Sequence, residues 1–373
     1  MAEIGTFMLY IFIAVVSSEL IVISLKFKNK YNINFLLLVV AIILSLLAAF
    51  RGNTGTDSAM YKQAYYNINS VNSSRWSEFE PGFSILIKSL NYLHFSYHAL
   101  FFLMSFIGTW LIIKLIIRYK NNIDVRFAVI WYVIDLYLIS LNGMRQGMAV
   151  AVGIYAMAFF VEKKFLQSLI LIIVASMFHT SALICLAVFG CKILFDNRHS
   201  KVLLIFVSSV IIFLMFNRDL FGDIVTMLTG SVYYGNYFRG GESSQGTLVG
   251  YFIKIFPILF LSVLNYHEYN KENHMKILFS LMFCGYLLSM ISSIKAGQGA
   301  RVGWYFTYLN ILVIPFCLKY NLKMKFIRNK VYSINLIYIK VIMYIYIIVM
   351  MIYNLFLKEF NQVVPYVGFL EFF

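Results

Sequence analysis

Charge is scarce in this sequence, and acid is scarcer than base. Asp, Glu, Lys and Arg make up 13% of 373 residues, with 16 acids against 31 basic residues. A chain so poor in charge and 61% hydrophobic, with a mean hydropathy of +0.80, cannot cover its apolar surface as a soluble domain. Cysteine is almost as rare. Cys185, Cys191, Cys284 and Cys317 lie in or beside apolar runs and form no CxxC pair, which excludes a zinc-finger or disulfide framework. HExxH, DxD, P-loop and GxSxG patterns are all missing, so zincin, nucleotide and serine-hydrolase chemistry have no support.

Long uncharged runs are plentiful. Several reach about 18 residues, the length that crosses a hydrocarbon core of about 30 Å. They do not alternate polar and apolar residues, so they are not barrel strands. The expected fold is an all-α polytopic integral membrane protein, one transmembrane domain over 1–373. Clear spans fall at 4–25, 33–50, 97–118, 125–141, 146–161, 201–217, 247–265, 275–294, 301–318 and 336–357. The first reads as a retained helix, because no small-residue cleavage site follows it. The apolar stretch 164–195 is long for one span. Its middle, "MFHTSAL" from Met177 to Leu183, suits a turn at a membrane face.

Basic residues decide the count. With Lys26, Lys28 and Lys30 placed inside, a hairpin turning near His179 also returns Lys192, Arg198, Lys201 and the run Lys319–Lys330 to the inside. That reading gives about 11–12 spans and long extracytoplasmic loops at 51–81 and 218–246, an arrangement open to a GT-C-like architecture. The net charge of +15 then belongs to cytoplasmic loops facing anionic lipid rather than to nucleic acid.

Four arginines break the pattern by falling on the outer face: Arg51, Arg145, Arg239 and Arg301. Arg145 sits with Gln146 at the seam of two spans. Rim arginines also snorkel to headgroups with no other role. As a set they suit a diphosphate, whose oxygens match the guanidinium fork. His179 and Asp57 lie on the same face and have the chemistry of a general base. Gly52 and Gly55 would let backbone N–H groups approach a ligand. Glu80, before a short helix expected within 82–94, and Tyr237, in the aromatic loop "SVYYGNYFRGGESSQG", are candidate sugar contacts, although an interfacial aromatic belt explains most of the tyrosines equally well. Asp135 and Glu19 are intramembrane acids and so candidates by default; a hydrogen bond to a neighbouring helix is the structural alternative.

These stretches resemble the EpsG-like family of Wzy-type polysaccharide polymerases. The likeness rests on "FRGNTGTD" at 50–57 with Tyr61 downstream, "EPGF" at 80–83, "RQGMAVAVGIYAMAFFVEKKFLQSLILIIVASMFHTSAL" at 145–183, "ARVGWYF" at 300–306 and "VVPY" at 363–366. The region 218–246 is the least family-like. The resemblance implies a glycosyltransferase of the bacterial inner membrane, with an extracytoplasmic active site. It joins undecaprenyl-diphosphate-linked oligosaccharide repeat units, donor and acceptor both on lipid, into O-antigen, capsule or exopolysaccharide. A metal-independent, inverting transfer with no cofactor is expected, and a chain-length regulator is a candidate partner. The alternatives are an O-antigen ligase, a flippase of the lipid-linked unit, which would show internal repeats, and a membrane acyltransferase built on His179 and Asp135.

Overall fold

The computed structural model describes residues 2–68, 79–190, 217–229, 272–296, 301–319, 322–326, 330–334, 336–357 and 362–368, with isolated positions between 232 and 265. Among these residues, the regular structure apart from one short hairpin is helical. The first half of the chain contributes α1 (Ala2–Ser24), α2 (Lys30–Ala49), α3 (Ser58–Asn67), α4 (Pro81–Tyr92) and α5 (Tyr97–Arg118). Next come α6 (Val125–Tyr132), a π-helical turn at Val133–Tyr137, α7 (Leu138–Asn142), α8 (Met144–Val161) and α9 (Phe165–Ser176). The second half holds a 3₁₀ turn at Thr180–Leu186, α10 (Arg218–Thr229), α11 (Asn273–Ala296), α12 (Trp304–Thr307) and α13 (Asn310–Cys317). Strands β1 (Leu322–Phe326) and β2 (Lys330–Ile334) pair antiparallel with Met324 opposite Tyr332, and α14 (Leu336–Ile352) follows.

Six of the described helical runs are long and apolar enough to cross a membrane: α1, α2, α5, the continuous run Val125–Asn142, α8 and Leu336–Phe356. The chain is a multi-pass membrane protein. The stretch 164–195 breaks at Met177–His179, where the expected turn lies, with His179 N–H closing on Ala175 O at 3.0 Å. The expected span 301–318 differs. It is interrupted at Tyr308–Leu309 between two short helices, and Pro315, which lacks an N–H, lies inside the second. Of the expected spans, 201–217 lies outside the described residues except for Asn217, and 247–265 is described only at scattered positions; the expected loop 218–246 opens with helix α10, and most of its remainder lies outside the described residues.

The chain divides into two compact units. One takes Met1–Tyr155, Val174–His179 and Ile311–Phe373; the other takes Ala156–Ile173 and Thr180–Asn310. In the first unit α2 packs along α5, and α1 along α2 and α6. Val40, Ala41, Leu44 and Ala48 on α2 and Met104 and Ile112 on α5 are buried. Helix length and alternation give this unit two polar ends. At one, Asp124 caps α6 by accepting the Phe127 N–H at 3.1 Å and holds Lys340 Nζ at 2.6 Å. Lys319 bonds the carbonyls of Lys120 and Asn121, and Lys114 lies over Trp110 while donating to Asn34. This is the lysine-rich end. Near it Glu19 is taken by Arg126 through two bonds of 2.6 and 3.1 Å. The opposite end gathers residues 50–57, α3, α4, the α7–α8 junction, Met177 and the segment 362–367. In the second unit, Tyr286 OH accepts from Asn310 Nδ2 at 3.0 Å, and Arg301 lies 5.7 Å from the Trp304 ring.

Candidate functional site

The α7–α8 junction is an elbow of a single residue, Gly143, with φ −81° and ψ 63°. The helices close on it because Gly147 has no side chain: a Cβ there would lie 2.4 Å from that of Ser140. Small residues allow such close approach inside a membrane. The elbow lifts Asn142, Arg145 and Gln146 to the polar end of the first unit. Asn142 is 3% and Gln146 4% exposed.

Arg145 forms an ion pair with Glu80, the residue preceding α4. Pro81 opens that helix, where its missing N–H has no cost. The Arg145 side chain is 17% exposed and that of Glu80 4%. The guanidinium lies 4.5 Å from the centre of the Phe79 ring, 5.4 Å from Phe83 and 5.8 Å from Tyr61. Burial pushes the Tyr61 hydroxyl above its usual range, and the Arg145 cation beside it pulls it partly back. The result is a cation and an acid held among aromatic rings, with the cation the more open of the two.

The Asp57 loop is built from three sources. Gly52 N–H donates to Val367 O at 2.5 Å and Gly55 N–H to Gln362 O at 2.9 Å. Thr54 Oγ1 donates to Val367 O and accepts the Val367 N–H, at 3.0 and 2.8 Å. The tail is itself fixed, through Tyr366 N–H to Thr6, Tyr366 OH to Leu47 O and Tyr10 OH to Val363 O. The two glycine N–H groups expected to meet a ligand are therefore committed inside the protein. Asn142 supplies the third hold: its Oδ1 accepts the Asp57 N–H at 2.8 Å and the Thr56 hydroxyl at 3.1 Å. Asp57 is half-buried, and its carboxylate lies 3.2 Å from the same Thr56 hydroxyl, whose single proton is shared between it and Asn142 Oδ1.

Met177 brings in the His179 corner. Its carbonyl accepts the N–H groups of Gly82, at 2.8 Å, and Phe83, at 3.3 Å. His179 is two residues beyond that contact, and Glu80 two residues before it. Arg51 is placed differently. It is 1% exposed, with its guanidinium 4.2 Å from the Phe101 ring and donating to Ala48 O at 3.0 Å. The carbonyl end of α2 favours a cation there. Burial lowers the Arg51 pKa to about 10, so it remains charged at neutral pH. Among the described residues its Nε and Ser105 Oγ have no hydrogen-bond partner, and both residues line a cavity with room for about one water.

The end of the first unit thus unites Asp57, Glu80, Arg145, Gln146 and the corner holding His179, with Arg51 buried beneath them. Arg301 belongs to the second unit, and Arg239 and Tyr237 lie outside the described residues. Sequence reasoning missed Asn142, although it lies three residues before Arg145, and the aromatic surround of Arg145. A polar residue closing an apolar helix run was the available signal for Asn142. The long-range partners carried none. Among the described residues no group of three or more His, Cys, Asp and Glu side chains could hold a metal ion.

A sequence model of the EpsG family matches residues 34–367. No curated protein and no solved structure matches the chain. The match covers nearly the whole sequence: this protein belongs to the EpsG family, a Wzy-like family of polysaccharide polymerases.

Proposed function

From that membership, we propose that the protein polymerises lipid-linked oligosaccharide repeat units at the Arg145 end of its first unit, and that this end faces away from the cytoplasm. The observation that carries the reading is the Arg145–Glu80 pair in its aromatic surround, on the same polar end as Asp57 and the His179 corner. The lysine-rich opposite end supports the orientation through the positive-inside rule.

The donor is a glycan on undecaprenyl diphosphate, and the acceptor is a repeat unit on the same lipid. An acceptor hydroxyl attacks the anomeric carbon. The new C–O bond forms as the bond to the diphosphate oxygen breaks, and the diphosphate leaves with the electron pair. Asp57 takes the hydroxyl proton and His179 orients the acceptor. Arg145 neutralises charge as it grows on the leaving group. A diphosphate brings more negative charge than one carboxylate and competes with Glu80 for the guanidinium. Glu80 then turns to the sugar, with Gln146 beside it. Arg51, fully buried, adds positive potential from below. Arg301, Arg239 and Tyr237 are assigned to the substrate from sequence alone. Direct attack inverts the anomeric centre, by the logic of single-displacement glycosidases. Arginine supplies the charge neutralisation that a metal supplies elsewhere, so the transfer is metal-independent. The setting is a bacterial inner membrane, and the product feeds O-antigen, capsule or exopolysaccharide.

The test is glycan length on a gel, from a strain lacking the gene and complemented with wild type, Arg145→Ala, Asp57→Ala or His179→Ala at matched protein levels. A ladder with wild type, one unit in the null strain and one unit with Arg145→Ala is the expected result. A null strain with no surface units, its lipid-linked units trapped inside, would make the protein a flippase. Polymer on the carrier that never reaches its final acceptor would make it a ligase.

A further inference from the structure

Loop 51–57 has two halves with different anchors. Gly52, Thr54 and Gly55 are held by the tail at Gln362 and Val367. Thr56 and Asp57 are held across the fold, among the described residues, by one atom, Asn142 Oδ1. That atom belongs to the last residue of α7, one step before the Gly143 elbow and three before Arg145. It therefore sets where the Asp57 carboxylate stands relative to the Arg145 guanidinium.

The approach is built from both sides. Gly55 has φ +88°, and a Cβ there would lie 3.0 Å from Asn142 Oδ1 and 3.1 Å from its Cα. Only glycine both adopts that backbone angle at no cost and leaves Asn142 room. Asn142 is 3% exposed, so water does not readily replace its oxygen. The remaining anchors are independent of it. Losing the oxygen removes the one cross-fold hydrogen-bond anchor, among the described residues, of the Thr56–Asp57 backbone, which lies between a Gly52 side held by the tail and the buried Ser58 that opens α3.

We propose that Asn142 is a positioning residue for the glycosyl transfer: its amide oxygen fixes Asp57 at reacting distance, and it touches no substrate itself. This rests on the polymerase reading above. Misplacing a reacting group by about 1 Å costs about 100-fold in rate. Binding of the donor diphosphate depends on Arg145, which stays in place, so the effect falls on kcat and spares KM.

The experiment uses full-length protein in lipid bilayers and, as substrate, the lipid-linked repeat units extracted from the null strain. Variants are Asn142→Leu, Asn142→Asp, Gly55→Ala and Thr56→Val. Asn142→Leu and Gly55→Ala should each lower kcat about 100-fold with the donor KM unchanged. Asn142→Asp keeps an oxygen for both donors and should restore kcat to within about tenfold of wild type. Thr56 is exposed, so Thr56→Val folds even where Asn142→Leu does not, and should lose a few-fold in kcat alone. Wild-type kcat in Asn142→Leu, or a rise in KM matching the fall in kcat in Thr56→Val, overturns the proposal. If wild type itself does not extend the extracted units, or Arg145→Ala extends them as well as wild type does, the polymerase reading fails, and the proposal with it.

Discussion

Arg145→Ala separates what the ion pair does for stability from what the cation does for chemistry. Removing the guanidinium leaves the Glu80 carboxylate 4% exposed without its cationic partner. Breaking a buried pair in this way costs about 3–5 kcal/mol, most of it the burden of the charge left behind. Loss of the cation over Phe79, 4.5 Å away, adds about 1 kcal/mol. Arg145 itself is 17% exposed and reaches water, which places the total near the lower end, at about 4 kcal/mol. Changing Glu80 to Gln in the same chain removes the stranded charge and should recover about 2–3 kcal/mol. The double variant is thus more stable than Arg145→Ala although it carries one more substitution. On the proposed mechanism neither variant should form polymer, because the leaving diphosphate would lose its cation. The assays are denaturant unfolding in detergent and glycan length on a gel. A double variant no more stable than Arg145→Ala would refute the ion-pair argument. A polymer ladder from either variant would refute the assignment of Arg145 to the diphosphate.

Ending the chain after Asn361 removes every tail anchor of loop 51–55, at about 1 kcal/mol for each hydrogen bond lost, and should abolish polymer while the protein still inserts in the membrane; full activity of that truncation would show that the tail is dispensable. Burial pushes the Tyr366 hydroxyl up to about 12. A folded pKa above the unfolded value of about 10 means stability is fully present below pH 10 and is lost as pH rises from 10 to 12, by on the order of 2–3 kcal/mol; the fall in stability measured across that range should be smaller in Tyr366→Phe than in wild type by about that amount. Glu19 and Arg126 are each about half-exposed, so Glu19→Gln should change stability by under about 1 kcal/mol and leave glycan length unchanged; shortened glycan would return Glu19 to the list of functional acids. Single cysteines placed at exposed Asn53 and Lys120 in a chain lacking its native cysteines should react with an impermeant thiol reagent from outside and inside the cell, respectively; reaction of both from one side would break the orientation.

Much of the architecture was legible one segment at a time. α1, α2, α5 and α8 lie close to their expected spans because a bilayer selects for uninterrupted apolar length, and length is visible locally. The break near His179 was visible for the same reason, as polar residues inside an apolar run. The interruption of 301–318 was not: hydropathy is blind to a helix that stops and restarts within an apolar stretch. In the site, Arg145 was legible as a cation at the seam of two spans. Its partner was not, because Glu80 lies 65 residues away and neither residue marks the other.

Arg51 and the two loop glycines show where local reading stops. An arginine after a span and glycines in a polar loop read as groups free to meet a phosphate. In the fold Arg51 lies against Phe101 and the carbonyl end of α2, and the glycine N–H groups close on the tail more than 300 residues later in the chain. The sequence by itself determined the class, the principal spans and the cation at the α7–α8 seam, since each depends on what a single segment requires of lipid or water. The tertiary structure decided which acid holds that cation, which amide holds Asp57 and which arginine is buried. Those are pairings between distant segments, and a buried donor or charge finds its partner only when packing brings the two together.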